Sequence, residues 1–242
     1  MILRFSDPES LSRAAADMFA QAAQTAVQER GRFNVALSGG GTPVRTYQLL
    51  AQAPWCDRTP WPHVHVFWGD ERCVEIDDQR SNAGMAYRTL LRHVPVDPAH
   101  VHPIRCAADP EAGAAQYDEL LRTHLSSPAP HLDLVILGLG RNGHTASLFP
   151  GSPAIDEKGR WAADVYVAEQ AMHRVTLTPP LLNAARTVLF LVSGNEKAHV
   201  LKSVLEGPFM PRRLPAQAIH PHSGRLIWLV DAPAAARLAP SP

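Results

Sequence analysis

The chain of 242 residues is poor in cysteine, in aromatic residues and in unbalanced charge, and each shortage narrows what it can be. Its three cysteines, Cys56, Cys73 and Cys106, are widely spaced, odd in number and form no Cys-x-x-Cys pair. That set predicts reduced thiols in a cytoplasmic protein. Lys plus Arg and Asp plus Glu each number 23, so the formal net charge is zero with histidine neutral. Arg212-Arg213 is the one tight basic cluster, and a chain so balanced lacks the electrostatic footprint of a nucleic-acid binder. No apolar run approaches the roughly 18–20 residues of a membrane span. The opening segment MILRFSDPES turns polar after its fifth residue, too early for the apolar region of a secretory leader. Repeats and low-complexity segments are missing until the Ala/Pro-rich tail from Ala232 to Pro242, which is expected to fray.

What is present is apolar: 45% of residues are hydrophobic, enough to bury a sizeable core in a single α/β domain spanning residues 1–242. The first helix has two candidate starts, a capping box from Ser6 to Glu9 or a cap at Asp7 with Pro8 in the first helical position. Leu11, Ala15, Met18 and Ala22 then recur at helical spacing, and Gly31 stops the run. Thereafter the pattern alternates. Strands are expected at Phe33–Leu37, His63–Trp68, Leu132–Gly138, Arg174–Thr178, Thr187–Ser193 and Arg225–Asp231. Helices are expected from Pro43 to about Gln52, over Ser81–His93, from Asp109-Pro110 to about Leu125, and from Lys197 to about Leu205. Near-continuous apolar strands alternating with amphipathic helices predict a mostly parallel, Rossmann-like sheet with helices on both faces. Ligands of such sheets gather at the carboxyl ends of the strands, so the loops leaving Leu37, Trp68, Gly138 and Ser193 are the ones to read.

The third of these loops carries Gly138-x-Gly140-x-x-Gly143, the spacing of a dinucleotide fingerprint. A dinucleotide fold needs a long helix after the last glycine and an acidic residue ~20 positions on. Pro150, Gly151 and Pro153 end this segment within about two turns, and Asp164 lies beyond that break, so the match is false and no nucleotide cofactor is expected. His144 stands instead at an expected helix start near the carboxyl edge, where an imidazole with an ordinary pKa of ~6.5 suits general-base work. Ser147 is no nucleophile, because the chain has no G-x-S-x-G elbow.

The other loops supply anion chemistry. Ser38-Gly39-Gly40-Gly41-Thr42-Pro43 lets backbone N–H groups converge on an anion, with Thr42 as the expected N-cap and Ser38 as a hydroxyl donor. It has no Walker lysine, which disfavours a nucleoside triphosphate. An ordinary glycine turn is the alternative. In Gly69-Asp70-Glu71-Arg72, the charges that follow a buried strand must be paired or meet a polar ligand; Arg72 forks onto a phosphate or pairs with Asp70. Lys197 in a first helical turn opposes the macrodipole unless an anion partners it, and Arg174 precedes it on a strand. Three pairs read His-x-His, His63/His65, His100/His102 and His220/His222, each beside proline and without a third ligand at recognisable spacing. No metal site is expected.

Taken in order, Leu37-Ser-Gly-Gly-Gly-Thr-Pro43, Asp70-Glu-Arg72, Ser81-Asn82, Gly138-x-Gly-x-x-Gly-His-Thr-Ala-Ser-Leu-Phe-Pro150, Arg174-Val-Thr-Leu-Thr178 and Gly194-x-x-Lys197 resemble the glucosamine-6-phosphate isomerase/6-phosphogluconolactonase family. The blocks cover most of the chain and are closest to the lactonases. The resemblance implies a modified Rossmann-like fold and metal-independent hydrolysis of 6-phospho-D-glucono-1,5-lactone in the oxidative pentose phosphate pathway. It implies His144 as the base that activates water. Ser38, Gly39, Gly40, Gly41, Thr42, Arg72, Arg174 and Lys197 would hold phosphate and sugar hydroxyls. The expected partner is a small sugar-phosphate lactone, with no nucleic acid and no membrane, and the sequence carries no signal for an oligomeric state.

One position departs from the family pattern. Relatives usually carry aspartate directly before the Gly-His pair, and this chain has Asn142. An amide oxygen at that position can orient the imidazole but stabilises its cation less than a carboxylate does. Two other readings are a deaminase or isomerase on the same fold and a non-catalytic sugar-phosphate sensor. The first expects Asp at position 142 and a Phe-Asn-Glu-Pro-like segment in place of Ser147-Leu-Phe-Pro150. The second is disfavoured by the presence of His144.

Overall fold

A computed structural model describes residues 1–125 and 131–240 of the chain. In chain order its elements are β1 (Ile2–Phe5), α1 (Pro8–Arg30), β2 (Phe33–Leu37), α2 (Val44–Leu50), α3 (Trp55–Arg58), β3 (Val64–Trp68), β4 (Asp70–Arg72), α4 (Asn82–Ala86) and α5 (Pro110–Leu125). The second half adds β5 (Leu134–Gly138), β6 (Ala162–Val167), β7 (Met172–Leu177), α6 (Pro179–Ala184), β8 (Thr187–Val192), α7 (Ala198–Glu206), β9 (Arg225–Asp231) and α8 (Ala232–Ala235).

Six strands pair in the order β1-β9-β8-β5-β2-β3, every pair parallel. β2, β5 and β8 are buried almost throughout, as strands covered on both faces must be. The expected mostly parallel sheet is therefore present. A second sheet of three antiparallel strands, β4-β7-β6, sits beside it. This corrects the expectation for Arg174–Thr178, which does not join the parallel series: its strand pairs with β4 and β6 instead.

The two sheets are stitched through Gly69. Its N–H donates to the Leu37 carbonyl at 2.8 Å, and its own carbonyl accepts from the Leu177 N–H at 2.8 Å. α1 packs against β1, β2 and β9 together with α2 and α3, whereas α5 covers β6 and β7. One contiguous hydrophobic core runs through both sheets, from Phe19 and Phe33 to Phe190 and Leu229.

Local signals fix the helix ends. Asp7, not Ser6, caps α1: its carboxylate accepts from the Ser10 N–H at 2.8 Å, with Pro8 in the first turn. Gly31 closes the helix in the left-handed conformation, φ 74°. Helix α4 runs on into a wide π turn over Tyr87–Leu91. The tail is not frayed at its start. Asp231 caps α8 through the Ala234 N–H, and Ala234 and Leu238 join the core. The last two tail residues, 241–242, lie outside the described residues.

The expectation of three reduced thiols is corrected. Cys73 and Cys106 form a disulfide across 33 residues, with Cα atoms 4.8 Å apart, and only Cys56 is free. Nothing local in the sequence marks such a pair; it exists because β4 and the segment entering α5 meet in the fold. Among the described residues no helix is long and apolar enough to cross a membrane.

Candidate active site

At the carboxyl end of the sheet Ser38 is the first residue past β2, and Trp68 is the last residue of β3, the edge strand. Buried backbone groups there need other partners. Two tyrosines supply them. The Tyr47 hydroxyl, from α2, accepts from the Ser38 N–H at 3.0 Å and donates to the Ser38 carbonyl at 2.9 Å. The Tyr117 hydroxyl, from α5, does the same for Trp68, at 2.8 and 3.1 Å. Burial pushes both phenols well above their ordinary pKa, so each stays a neutral donor and acceptor. Ser38 opens the glycine loop and Trp68 precedes Asp70-Glu71-Arg72, so these bonds set where both loops begin.

Glu71 and Asn82 hold the next layer. Glu71 accepts from the Ser81 hydroxyl and from the N–H groups of Arg72, Asn82 and Ala83, locking the start of α4 against β4. The Asn82 amide donates to the Asp70 carbonyl at 2.8 Å and to its carboxylate at 3.2 Å. Its oxygen has no partner and faces Gly39, where a Cβ would sit 1.7 Å away. Glycine at position 39 is what lets the loop lie on Asn82. Asp70 also accepts from the Ser147 hydroxyl at 2.6 Å, and Arg174 Nη1 approaches it at 3.5 Å.

These elements enclose a cavity of about 530 Å³. All the candidate site residues that the sequence singled out line it: Ser38, Gly39, Gly40, Gly41, Thr42, Arg72, Asn142, His144, Arg174 and Lys197. Two local expectations are corrected. Pro43, not Thr42, occupies the cap position of α2, and no side chain bonds there. No helix starts at His144; residues 141–151 are turns held by the Thr145↔Leu148 bridge and by the Ala216 N–H donating to the Gly143 carbonyl. Of the two alternatives for Arg72, the pair with Asp70 is not formed: among the described residues its Nη1 donates to the Arg80 carbonyl, and Asp70 takes Arg174. Lys197 closes a single 3₁₀ turn directly before α7.

His144 is set by its own loop. The Asn142 side-chain oxygen accepts from the His144 backbone N–H at 3.2 Å and lies 2.5 Å from its Nδ1. A backbone N–H only donates, so the amide oxygen must face it, and the neighbouring Nδ1 must then carry a proton. Nε2 is left as the basic nitrogen. The ring stacks on Phe149 at 4.2 Å between centroids. Gly140 makes room for it, since a Cβ there would lie 2.1 Å from the ring atoms Cε1 and Nδ1. Burial is the main cause that pushes the His144 pKa down to about 4; Asp70 opposes that, and Arg174, Lys197 and Arg72 add to it. Burial likewise lowers the pKa of Arg174 and Lys197. Ser38 Oγ, Arg72 Nε and Arg174 Nε are buried without partners, leaving unspent donors around the cavity.

Sequence reasoning passed over Tyr47, Tyr117, Asn82 and Asp70 as site residues. Ser81-Asn82 was visible as a motif, but its link to Asp70 is tertiary. Ser147, rejected as a nucleophile, is fully buried with its hydroxyl on Asp70. The His-x-His pairs partly converge: His65 stacks on His100 at 3.9 Å, and its Nδ1 is 3.4 Å from His102 Nε2. Among the described residues no group of three or more potential ligands could hold a metal ion.

The family profile of glucosamine-6-phosphate isomerases/6-phosphogluconolactonase matches residues 6–228. The chain is 42% identical over 219 residues to a 6-phosphogluconolactonase of Synechocystis sp., covering 89% of this chain and 88% of the relative. The solved 6-phosphogluconolactonase from Trypanosoma cruzi superposes with a TM-score of 0.87 at 28% identity, covering 99% of this chain and 97% of the other. A monomeric glucosamine-6-phosphate deaminase superposes with a TM-score of 0.84, covering 98% and 99% of the two chains; at 24% identity the likeness is one of fold.

Two substitutions probe this construction. Tyr47→Phe strands both backbone groups of Ser38 in the core, and urea unfolding is expected to register a loss of roughly 1–3 kcal/mol. Gly140→Ala drives a methyl into the imidazole. A folded protein with altered His144 ring resonances and a lost Asn142 contact, read by ¹⁵N-resolved NMR, is the expected outcome; unchanged ring signals count against the packing.

Proposed function

The chain belongs to the glucosamine-6-phosphate isomerase/6-phosphogluconolactonase family and hydrolyses 6-phospho-D-glucono-1,5-lactone to 6-phosphogluconate, and we propose that His144 is the base that activates water for this step. The reaction is a carboxylic ester hydrolysis in the oxidative pentose phosphate pathway. The observation that carries the base assignment is the Asn142–His144 contact on the wall of the cavity, which leaves Nε2 as the unprotonated nitrogen of a residue that lines the ligand space.

At neutral pH the imidazole is neutral, because burial and three nearby cations hold its pKa to about 4. Nε2 takes a proton from water as the water oxygen attacks the lactone carbonyl. When the tetrahedral intermediate collapses, the C1–ring-oxygen bond breaks and the imidazolium returns that proton to the departing ring oxygen. The base need handle only one water because the phosphate end of the substrate is bound away from the reacting carbon. Ser38, Thr42, the Gly39–Gly41 backbone, Arg72, Arg174 and Lys197 carry that binding. A dianionic phosphate also relieves the clustered positive charge that burial makes unfavourable. Substrate and product are phosphorylated and do not cross membranes unaided, and we place the reaction in the cytoplasm.

Generating the phospholactone in situ and following acid release is the direct test of the activity. In that assay His144→Ala is expected to lower kcat by ~10²–10⁴-fold with little change in KM, since a general base acts mainly in the transition state. Near-normal turnover in a folded variant removes His144 from the role. The pH profile separates free enzyme from complex. kcat/KM is expected to keep its acid limb near pH 4, the free-enzyme value, whereas bound phosphate offsets the cations and moves the limb of kcat to higher pH. Asn142→Asp places a carboxylate on Nδ1, favours the imidazolium and shifts both limbs upward. Superimposable profiles for the two proteins would exclude that contact in solution.

A further inference from the structure

β4 is three residues long and is held at its two ends by different means. Asp70 anchors the start through Asn82, Ser147 and Arg174. The end is Arg72, followed directly by Cys73, whose N–H continues the ribbon by donating to the His173 carbonyl at 2.9 Å. The Cys73–Cys106 disulfide ties that end to the segment entering α5. Arg72 itself reaches the Arg80 carbonyl, in the loop that begins at the disulfide. Cys106 is 4% exposed, but Cys73 is only partly buried and lines a broad open hollow with Glu75, Asp77, Asp78 and Arg80. On the other side Cys106 lines a pocket of about 420 Å³ that has Glu71 and Ser81 on its wall, the two residues that lock α4 to β4.

We propose that Cys73–Cys106 is a reversible thiol–disulfide exchange site, reduced by a dithiol, that sets substrate affinity through the placement of Arg72. The inference rests on the lactonase reading and its cytoplasmic setting, where a disulfide that persists unused is rare and one that cycles is the usual kind. Exchange begins at Cys73, the sulfur on the open side. A reductant thiolate bonds to Cys73 Sγ, the Cys73–Cys106 bond breaks, and Cys106 leaves as a thiolate that takes up a proton. The second thiol of the reductant then displaces Cys73 as a thiolate, which is protonated in turn, and the reductant departs as its own disulfide. Two electrons and two protons pass to the protein. With the staple open, the 73–81 loop loses its covalent tie to the segment entering α5; the Arg72 backbone stays in the β4–β7 ladder, but the Arg80 carbonyl that holds its guanidinium is no longer fixed. His144 lies on a different loop, so the effect falls on binding and not on the chemical step. The hollow over Cys73 bears three carboxylates against one guanidinium, a field that disfavours anionic thiols.

The test uses the full chain oxidised and after dithiothreitol. Iodoacetamide labelling read by mass spectrometry is expected to count one thiol in the oxidised protein, Cys56, and three in the reduced one. Reduction is expected to raise KM for the phospholactone, and Kd for 6-phosphogluconate by titration calorimetry, by ~3–10-fold, with kcat within twofold. Cys106→Ser without reductant should match the reduced wild type and ignore dithiothreitol; should this variant not fold, the wild-type comparison decides alone. At matched thiolate concentration cysteamine should reduce the bond faster than mercaptoethanesulfonate, with the gap closing in high salt. Three free thiols after air oxidation, or identical KM and Kd in the two states, overturn the proposal. Equal rates for the two reagents overturn the electrostatic selection. Absence of turnover in both states, with the thiol count changing as expected, faults the lactonase reading and not the exchange site.

Discussion

Asp70 brings a carboxylate to the seam between the parallel and antiparallel sheets, where it is only 6% exposed. A charge in that position is tolerated when its oxygens are occupied, and three elements occupy them: Asn82 at the start of α4, Ser147 in the loop that carries His144 and Arg174 on β7. The requirement runs both ways. Each of those side chains is placed by the carboxylate it serves, so the walls of the cavity are assembled around one buried anion. Removing a single hydrogen-bond partner of such a group costs about 1–3 kcal/mol, because an acceptor stays buried and unmatched. The architecture of the site and the stability of the sheet junction are therefore the same set of bonds.

The parallel sheet was legible because its strands are buried on both faces and read as apolar runs: Phe33–Leu37 and Thr187–Val192 have almost no polar interruption. The antiparallel ribbon was less so. β4 is written Asp-Glu-Arg, a string that reads as a charged loop, and it is a strand only because β7 offers it a ladder. β6 reads Ala-Ala-Asp-Val-Tyr-Val and was passed over, since its alternation is short and its partner lies in the same late segment. The candidate site residues were legible as glycine, histidine and cation motifs at strand ends, and the structure gathers all of them around one cavity. What escaped was the layer behind them. Tyr117 and Asp70 act through a backbone group and a buried side chain far away in sequence, and pattern at one position carries no trace of a partner 49 or 77 residues on; Tyr47 reaches back nine residues to backbone groups, which leave no residue-type signal. The cysteine pair escaped for the same reason.

Asn142 gives His144 a neutral partner in place of a charged one. The amide oxygen fixes the tautomer as a carboxylate would, but adds no charge to hold a proton on the ring. Burial lowers the pKa most, Asp70 is the largest charge opposing it, and Arg174, Lys197 and Arg72 add to the lowering. The result is an imidazole that is weakly basic and remains deprotonated into acid, where a histidine next to aspartate is already converted to its cation. A base of this kind gives up strength per proton transfer in exchange for being available over a wider range of pH.

The parallel sheet also fixes when the molecule can be finished. Its edge strand β1 is the first segment of the chain and its neighbour β9 is among the last, with the Met1 amine bonded to the Leu226 carbonyl 225 residues away. A nascent chain therefore carries Ile2–Phe5 without its partner until Arg225–Asp231 has been made. A short edge of four residues, half of them exposed, leaves little unpaired backbone during that wait. Closure of the sheet is then a late, long-range event, and α1 has to dock on β2 before the strand that precedes it finds its place.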